Sequence, residues 1–136
     1  MEAAEVPEHA DEDLLRDVLA VEVRSEPGVR HRLLFDRKGE LVGTYDKMHV
    51  PCEEGFWEAD HYEPGETPPR RIDTFGMPLG MQICSDVQRP ALANVLGSLG
   101  AELILAPRAT PATSYERWKL VLRAIAISSA TYVISV

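Results

Sequence analysis

The sequence has 136 residues, of which 45% are hydrophobic and 26% are charged, and this composition is typical of a globular domain. The formal net charge is −8 and no segment gathers Lys or Arg, which argues against nucleic-acid binding because neutralising phosphates requires clustered cations. No apolar run approaches the roughly 18 residues that a membrane span requires, so we expect no membrane partner.

The amino-terminal stretch predicts neither secretion nor a structured start. Residues 1–17 are rich in acidic side chains and lack the basic and apolar regions of a signal peptide. We interpret them as a loose acidic lead-in to one domain over residues 1–136, in a cytoplasmic protein. Structural disulfides are rare in that reducing compartment, so Cys52 and Cys84 are expected to be free thiols.

The first half of the chain predicts strands followed by a long loop. Residues 18–24, 31–36 and 40–45 are predicted strands, and the last two form a hairpin whose turn places Gly39 at positive φ. Residues 50–71 are rich in proline, glycine and aromatic side chains, so regular structure is not expected there. Long ordered loops of this kind are more often functional than idle.

The second half predicts strands that alternate with helices, which is the pattern of an α/β fold. Residues 77–84 and 102–106 are apolar runs typical of buried strands, and residues 131–136 form a β-branched closing strand.

Two helices are predicted between these strands. The first begins at Pro90, and its apolar face consists of Leu92, Val95, Leu96 and Leu99. The second follows a capping-box pattern formed by Thr113 and Glu116. Its predicted buried face consists of Trp118, Val121, Leu122, Ile125 and Ser129.

Cys84 is the residue with the clearest chemical potential. It ends a predicted strand and precedes a helix, and the positive end of a helix dipole favours the thiolate, which is the attacking form of cysteine. The spacing alone leaves open a second interpretation, a small buried hydrophobic residue at a strand end. Cys52 lies beside Glu53 and Glu54, whose negative charges disfavour a thiolate, so we interpret it as a bystander.

Two motifs surround the predicted strand ends. Residues 43–49 read Gly-Thr-Tyr-Asp-Lys-Met-His, and residues 80–86 read Gly-Met-Gln-Ile-Cys-Ser-Asp, with Pro90 behind them. Both segments resemble the motifs of the nitrilase superfamily of carbon–nitrogen hydrolases, in the family's order. The likeness covers residues 18–136, and the loop at residues 55–58 and 62–65 is most similar to the N-carbamoyl amidase branch.

The resemblance implies an active site. In it, Cys84 is the nucleophile, Lys47 is the oxyanion partner, and Glu58 is a second, loop-borne glutamate that positions substrate and catalytic groups. Ser85 and Thr110 are expected to contact the substrate. Without the motif, Glu58 would be interpreted as an ordinary solvated carboxylate.

The resemblance also implies a fold and a reaction. The fold is α/β, a partial α-β-β-α sandwich, in a homo-oligomer. The Cys84 thiolate attacks an amide or carbamoyl carbon of a small molecule, an amine or ammonia leaves, and water hydrolyses the thioester, while Lys47 stabilises the oxyanion. No cofactor is needed. His9, His31 and His61 lack metal-ligand spacing, so no metal site is expected, and the family's histidine at position 49 is structural.

One catalytic part of the family is not evident in this sequence. The family's general-base glutamate lies far upstream of the lysine, beyond a helix and two or more strands, whereas Lys47 comes early here. Glu8 follows a proline as that base does, but no space remains for the helix, so we expect the base segment to be absent and both ends to be clipped. Two alternatives to a hydrolase therefore stay open: a degenerate relative that binds ligand or pairs with a fuller subunit, and an acyl transferase or glutaminase.

Overall fold

The computed structural model describes residues 20–26, 28–36, 38–73 and 76–135, and the predicted lead-in at residues 1–17 lies outside them. In the second half of the chain, strands alternate with helices, so the mixed α/β class predicted from the sequence is confirmed.

The first sheet is an antiparallel arrangement of three strands with a short fourth strand added. β1 (Ala20–Glu26) pairs with β2 (Gly28–Phe35), and β2 pairs with β3 (Leu41–Asp46). The predicted hairpin between β2 and β3 is confirmed, with Gly39 at a φ of +78°. β1 extends beyond residue 24, its predicted end, and β2 begins before residue 31, its predicted start. Their ladder continues towards the turn as far as the pair Glu26 and Val29.

The loop at residues 50–71 was expected to lack regular structure, and this expectation was wrong. β4 (Cys52–Glu53) and β5 (Phe56–Trp57) form a small antiparallel hairpin, a 3₁₀ helix spans Glu58–Asp60, and β6 (Tyr62–Glu63) joins the start of β2 in parallel. Backbone polar groups need partners even in a proline-rich loop. Here the loop folds back, and the Gly65 N–H donates a hydrogen bond of 2.7 Å to the carbonyl oxygen of Lys47.

The second sheet is parallel and contains β7 (Leu79–Met81), β8 (Leu103–Leu105) and β9 (Tyr132–Ile134), in that order. All three predicted strands exist, but β7 and β9 are shorter than the segments 77–84 and 131–136. Beyond β7 the chain still runs beside the β8 segment, and the Cys84 N–H donates a hydrogen bond of 3.1 Å to the carbonyl oxygen of Pro107. Cys84 therefore lies just past the strand, where the chain leaves the sheet.

The first helix, α1 (Pro90–Ser98), begins where it was predicted to begin, but its buried face differs from the prediction. Leu96 is fully buried, whereas Val95 and Leu99 are exposed. Leu96 packs directly over Gly80 of β7, a position where any side chain would collide with it. This close approach rotates the helix so that Val95 and Leu99 face away from the sheet.

The second helix, α2 (Tyr115–Ser129), does not use the predicted capping box. A 3₁₀ helix at Ala112–Ser114 precedes it, so Thr113 lies before the helix, and the Ser114 hydroxyl donates to the carbonyl oxygen of Pro111 instead of capping α2. The predicted face of α2 is confirmed. Its buried members are Trp118, Ile125 and Ser129, and Val121 and Leu122 are partly buried.

The core has two layers that meet at the parallel sheet. One layer joins the two sheets through Leu34, Tyr45, Leu79, Met81, Ile83, Leu103 and Leu105. The other joins the parallel sheet to α1 and α2 through Val87, Ala93, Leu96, Ala101, Ile104, Ala106, Trp118 and Ile125. Alternate residues of β7 and β8 thus point to opposite layers, as in a strand buried on both faces. No helix among the described residues is long and apolar enough to cross a membrane.

Candidate active site

Cys84 lies on a sharp turn between the parallel sheet and the helices. It begins a 3₁₀ helix (Cys84–Gln88) and has a φ of +45°, a conformation that residues other than glycine rarely adopt. The side chain is a partly exposed free thiol. Such backbone outliers concentrate at functional sites, and ligands of open α/β sheets bind outside the carboxyl ends of the strands. The predicted helix behind Cys84, α1, begins at Pro90 as expected, and the 3₁₀ helix at Cys84–Gln88 lies between the thiol and α1.

Lys47 and Glu58 form a buried ion pair. The Lys47 side chain is 0% exposed, the Glu58 side chain is 16% exposed, and the Lys47 ammonium donates a hydrogen bond to Glu58 Oε2. A buried charge without a partner costs several kcal/mol, so Glu58 stabilises Lys47 in this position. The folded-back loop carries Glu58 to the end of β3, and it thereby brings two of the predicted catalytic residues together.

One pocket, with a volume of about 170 Å³, contains both Cys84 and Glu58 in its wall. Ser85 and Thr110, the two predicted substrate contacts, also line it. The remaining lining residues are Pro51, Glu53, Phe56, Gln88, Pro111, Ser114, Arg117 and Trp118. Four of the five predicted site residues therefore share one cavity, and the fifth, Lys47, is paired with a residue that lines it.

Asp86 connects the Lys47 segment to the Cys84 turn. Its carboxylate is completely buried and accepts hydrogen bonds from the Tyr45 hydroxyl (3.0 Å), the His49 backbone N–H (2.8 Å) and the Ile83 backbone N–H (3.2 Å). The His49 Nδ1 also lies 3.0 Å from Asp86 Oδ1. Burial, followed by the negative charge of Asp86, raises the pKa of Tyr45 well above its ordinary value, so the phenol keeps its proton as a donor.

The two predicted substrate contacts are partly engaged within the protein. The Ser85 hydroxyl donates a hydrogen bond to the backbone carbonyl oxygen of His49, so it links the two motifs in addition to lining the pocket. The Thr110 hydroxyl accepts a hydrogen bond from the Arg108 guanidinium, which lies 5.5 Å from the centre of the Trp118 ring. Arg108 thus contacts two residues of the pocket wall, Thr110 and Trp118.

Several residues that shape the site were not singled out from the sequence. Asp86 and Tyr45 belong to the two motifs, but no role was assigned to them, because only the folded chain shows that they meet. Trp118 and Arg117 were not expected at the pocket, although Trp118 was correctly predicted as a core residue of α2. Within the described ranges, no group of three His, Cys, Asp or Glu side chains could hold a metal ion.

The arrangement is suited to covalent catalysis. A thiol opens into a small cavity, a carboxylate lines the same cavity, and an ammonium is held behind that carboxylate without access to bulk water. A nucleophile beside a preorganised positive charge is what attack on a carbonyl carbon requires, since the negative charge that develops on oxygen needs a fixed partner.

The sequence of residues 25–136 matches the profile of the Carbon-nitrogen hydrolase family. The chain belongs to this family of carbon–nitrogen hydrolases, in the nitrilase superfamily. The match includes both motifs and the elements that carry Cys84, Lys47 and Glu58.

Curated relatives of the chain are amidases and related enzymes. It is 36% identical over 110 residues to the deaminated glutathione amidase of Yersinia enterocolitica, a match that covers 76% of this chain and 38% of that enzyme. It is 33% identical over 109 residues to the mouse deaminated glutathione amidase, covering 76% and 34%. A citrullinase of Francisella tularensis is 34% identical over 76 residues, covering 56% and 27%. The chain thus spans well under half of the length of these relatives.

Solved structures show the same fold. An amidase of the nitrilase superfamily from Nesterenkonia, solved as a cysteine-to-alanine mutant, has a TM-score of 0.69 and 27% identity, covering 82% of this chain and 42% of that one. A carbon–nitrogen hydrolase from Helicobacter pylori has a TM-score of 0.74 at 23% identity, covering 85% and 44%, which is a likeness of fold alone. The predicted partial nitrilase-like fold is therefore confirmed. Other mutants of the Nesterenkonia amidase carry the acetamide moiety of fluoroacetamide or an acrylamide adduct on the active-site cysteine.

Proposed function

We propose that this chain carries the nucleophile and oxyanion-binding part of a hydrolase that cleaves non-peptide C–N bonds in small amides or N-carbamoyl compounds. The observation that carries the proposal is the shared pocket of Cys84 and Glu58, with the buried ammonium of Lys47 paired to that glutamate. A buried cation next to a cysteine pocket has a chemical use in this family's reaction, whereas it would be a costly feature of a purely structural core.

The reaction proceeds through a thioester. The Cys84 thiolate forms a C–S bond to the carbonyl carbon, and the electron pair of the carbonyl moves onto oxygen, where the Lys47 ammonium stabilises it. The C–N bond then breaks as the nitrogen takes up a proton, and water attacks the thioester to release the acid and the thiol. One general acid–base group can serve both steps, because it donates to the leaving nitrogen the proton it took from the thiol and later accepts a proton from the attacking water. Glu8 lies outside the described residues, and of the two carboxylates that line the pocket, Glu53 and Glu58, we assign a role to Glu58 alone, as a positioning group.

The proposed substrate class follows from the size of the cavity and from the relatives. A cavity of about 170 Å³ accepts the small reacting group of a substrate and leaves the rest of a larger molecule outside. Relatives are named as amidases and as a citrullinase, and covalent adducts of small amides form on the active-site cysteine of one of them. The loop around Glu58 adds its similarity to the N-carbamoyl amidase branch. We further propose a cytoplasmic location, which would keep Cys84 reduced.

The first test is the reactivity of the two thiols. We expect iodoacetamide at neutral pH to alkylate Cys84 faster than Cys52, because an attacking thiol in a preorganised pocket reacts as the thiolate. Peptide mass spectrometry over a time course measures both sites in one sample, and Cys52 serves as the internal control. Equal rates, or faster labelling of Cys52, would contradict the assignment of Cys84 as the nucleophile.

A second measurement in the same samples separates hydrolysis from the alternatives. Small amides and N-carbamoyl compounds are incubated with the chain, ammonia release is measured, and a thioester on Cys84 is sought by mass spectrometry. No carboxylate of the described residues is assigned as the general base, whose loss lowers rates by about 10²–10⁴-fold, so we expect slow formation of a Cys84 thioester and little turnover. Cys84→Ala abolishes both signals. Product formed with an added amine but not with water would instead support an acyl transferase, and a ligand bound without any thioester would support a degenerate binding protein.

A further inference from the structure

We infer that Asp86 is a positioning residue, which holds the Lys47 segment and the Cys84 turn in a fixed relative placement. The inference rests on the proposed roles of Lys47 and Cys84, and Asp86 itself contacts neither the substrate nor the reacting atoms. It acts through its hydrogen bonds, which reach both sides of Lys47 and the residue before Cys84.

The geometry shows how one carboxylate can fix two segments. Asp86 Oδ1 accepts from His49, two positions after Lys47, while Oδ2 accepts from the Tyr45 hydroxyl, two positions before it. The Lys47 backbone is therefore held from both sides. Oδ2 also accepts from the Ile83 N–H, which constrains the turn that gives Cys84 its positive φ.

A second hydrogen bond supports the same connection. The neighbouring Ser85 hydroxyl donates to the His49 carbonyl oxygen. The turn is therefore hydrogen-bonded to both backbone groups of His49, the N–H through Asp86 and the carbonyl oxygen through Ser85. His49 and Asp86, which join the two segments, are 37 positions apart in the sequence. Apolar packing in the shared core layer brings Tyr45 and Ile83 together, and the hydrogen bonds of Asp86 add a directional constraint to that contact.

Removal of the Asp86 carboxylate would leave several donors without their partner. A completely buried carboxylate is stable only when its oxygens are well satisfied, and a partner left without it becomes an unpaired buried donor. Tyr45, His49 and Ile83 all donate into this one group, so changing Asp86 disturbs three contacts at once. Misplacement of reacting groups by about 1 Å can cost about 10²-fold in rate.

The test compares two reagents for Cys84 in a Cys52→Ser background. With acrylamide, the thiolate bonds to the terminal carbon and the electron pair moves to the amide oxygen, where Lys47 can stabilise it before the α-carbon takes a proton from water. With methyl methanethiosulfonate, the thiolate attacks sulfur and displaces methanesulfinate, a step without an oxyanion for Lys47. The ratio of the two second-order rate constants therefore reports how well Lys47 is placed against Cys84.

We expect Asp86→Asn to lower this ratio about tenfold, because the lysine and the thiol shift relative to each other. Lys47→Met lowers it too, and adding Asp86→Asn to Lys47→Met produces no further decrease, since the two changes act on one interaction. Asp73→Asn, at an exposed aspartate, is the matched control and leaves the ratio unchanged. If Asp86→Asn does not fold, Tyr45→Phe removes one of the hydrogen bonds and is expected to lower the ratio by a smaller factor.

The outcomes distinguish failure of the proposed role of Asp86 from failure of the proposed role of Lys47. A ratio that falls with Lys47→Met but stays at the wild-type value in Asp86→Asn and Tyr45→Phe overturns the role of Asp86 alone. Equal losses of rate with both reagents, together with a lower melting temperature, also overturn it, because Asp86 would then be a structural residue. A ratio unaffected by Lys47→Met overturns the oxyanion role of Lys47, and the inference about Asp86 fails with it.

Discussion

Lys47 is the largest completely buried side chain among the residues that the structure describes, and its burial is costly unless its charge is used or compensated. Glu58 compensates it from a loop that is otherwise largely exposed. The position of the ammonium therefore depends on the loop, and the loop's proline-rich path is held in turn by the hydrogen bond from Gly65 to the Lys47 carbonyl oxygen. At the residue scale, Lys47 and Glu58 therefore stabilise each other's position in the site.

Tyr45 gives a prediction about alkaline pH. Its pKa is raised from 10.0 in the folded state, first by burial and then by the charge of Asp86, so the folded chain keeps a proton that the unfolded chain releases. The stability contribution of that proton is complete below pH 10 and is lost as the pH rises further. We expect the free energy of unfolding to fall above pH 10 by up to about 1.4 kcal/mol per pH unit from this residue.

Urea unfolding of the wild type and of Tyr45→Phe between pH 8 and about pH 11 measures this effect. At the lower end of this pH range the variant is less stable by about 1–2 kcal/mol, because it lacks a hydrogen bond to a charged group. The difference between the two proteins should shrink above pH 10, since phenylalanine has no proton to lose. Tyr115→Phe, at an exposed position, is the control for loss of a phenol. A difference that stays constant through pH 11 contradicts the prediction.

At the scale of elements, the contact between α1 and α2 depends on a glycine. A Cβ atom added at Gly97 would lie 2.1 Å from the carbonyl oxygen of Ser129, which belongs to the rigid backbone at the end of α2. The helices can approach this closely only because Gly97 has no side chain. The same contact supports the helix layer that carries Trp118 and the pocket wall.

We therefore expect Gly97→Ala to destabilise the protein by about 1–3 kcal/mol, through the backbone shift that overpacking causes. Helix propensity alone predicts the opposite sign, a gain of about 1 kcal/mol for alanine over glycine. Thermal unfolding followed by circular dichroism decides between the two effects. Ser98→Ala, at the exposed neighbouring position, is the matched control and should change stability by less than about 0.5 kcal/mol. An unchanged or higher melting temperature for Gly97→Ala would show that the helices can separate without cost.

At the scale of the whole molecule, we expect the exposed apolar side chains of α2 to favour self-association. Leu120 is 70% exposed and Ile127 is 83% exposed, and their spacing of seven positions places them on one side of the helix. Exposed apolar side chains on one side of a helix can contribute to an interface. We predict that the chain forms oligomers whose population rises with concentration.

Light scattering after size-exclusion chromatography tests this prediction over a range of concentrations. The double variant Leu120→Lys and Ile127→Lys should shift the chain towards monomers, because two charges would have to be buried at the interface. Ser128→Lys adds a charge at an exposed position on a different side of the helix and serves as the control. The prediction is wrong if the wild type is a monomer throughout, or if the double variant associates as the wild type does.

The sequence alone determined β1 to β3, β7 to β9, both α-helices and the order of the motifs, but not the short elements of the loop at residues 50–71. Periodicity, turn residues and helix-start signals depend on neighbours a few positions apart, so the Gly39 hairpin, the start of α1 and the buried face of α2 could all be predicted. The family resemblance predicted one site for Lys47, Glu58, Cys84, Ser85 and Thr110, and the last four line one cavity. Local signals failed where packing overrides them, at the buried face of α1 and at the end of β7.

Only the tertiary structure decided which side chains meet. The contact between Tyr45 and Asp86 joins residues 41 positions apart, and it exists because the two sheets pack face to face through one core layer. No periodicity in the sequence encodes that distance. The pairing of Lys47 with Glu58 likewise depends on a loop that folds back, in which hydrogen bonds to the end of β3 override the irregular path that its prolines predict. Long-range packing, and the need of buried polar groups for partners, therefore determined the geometry of the site.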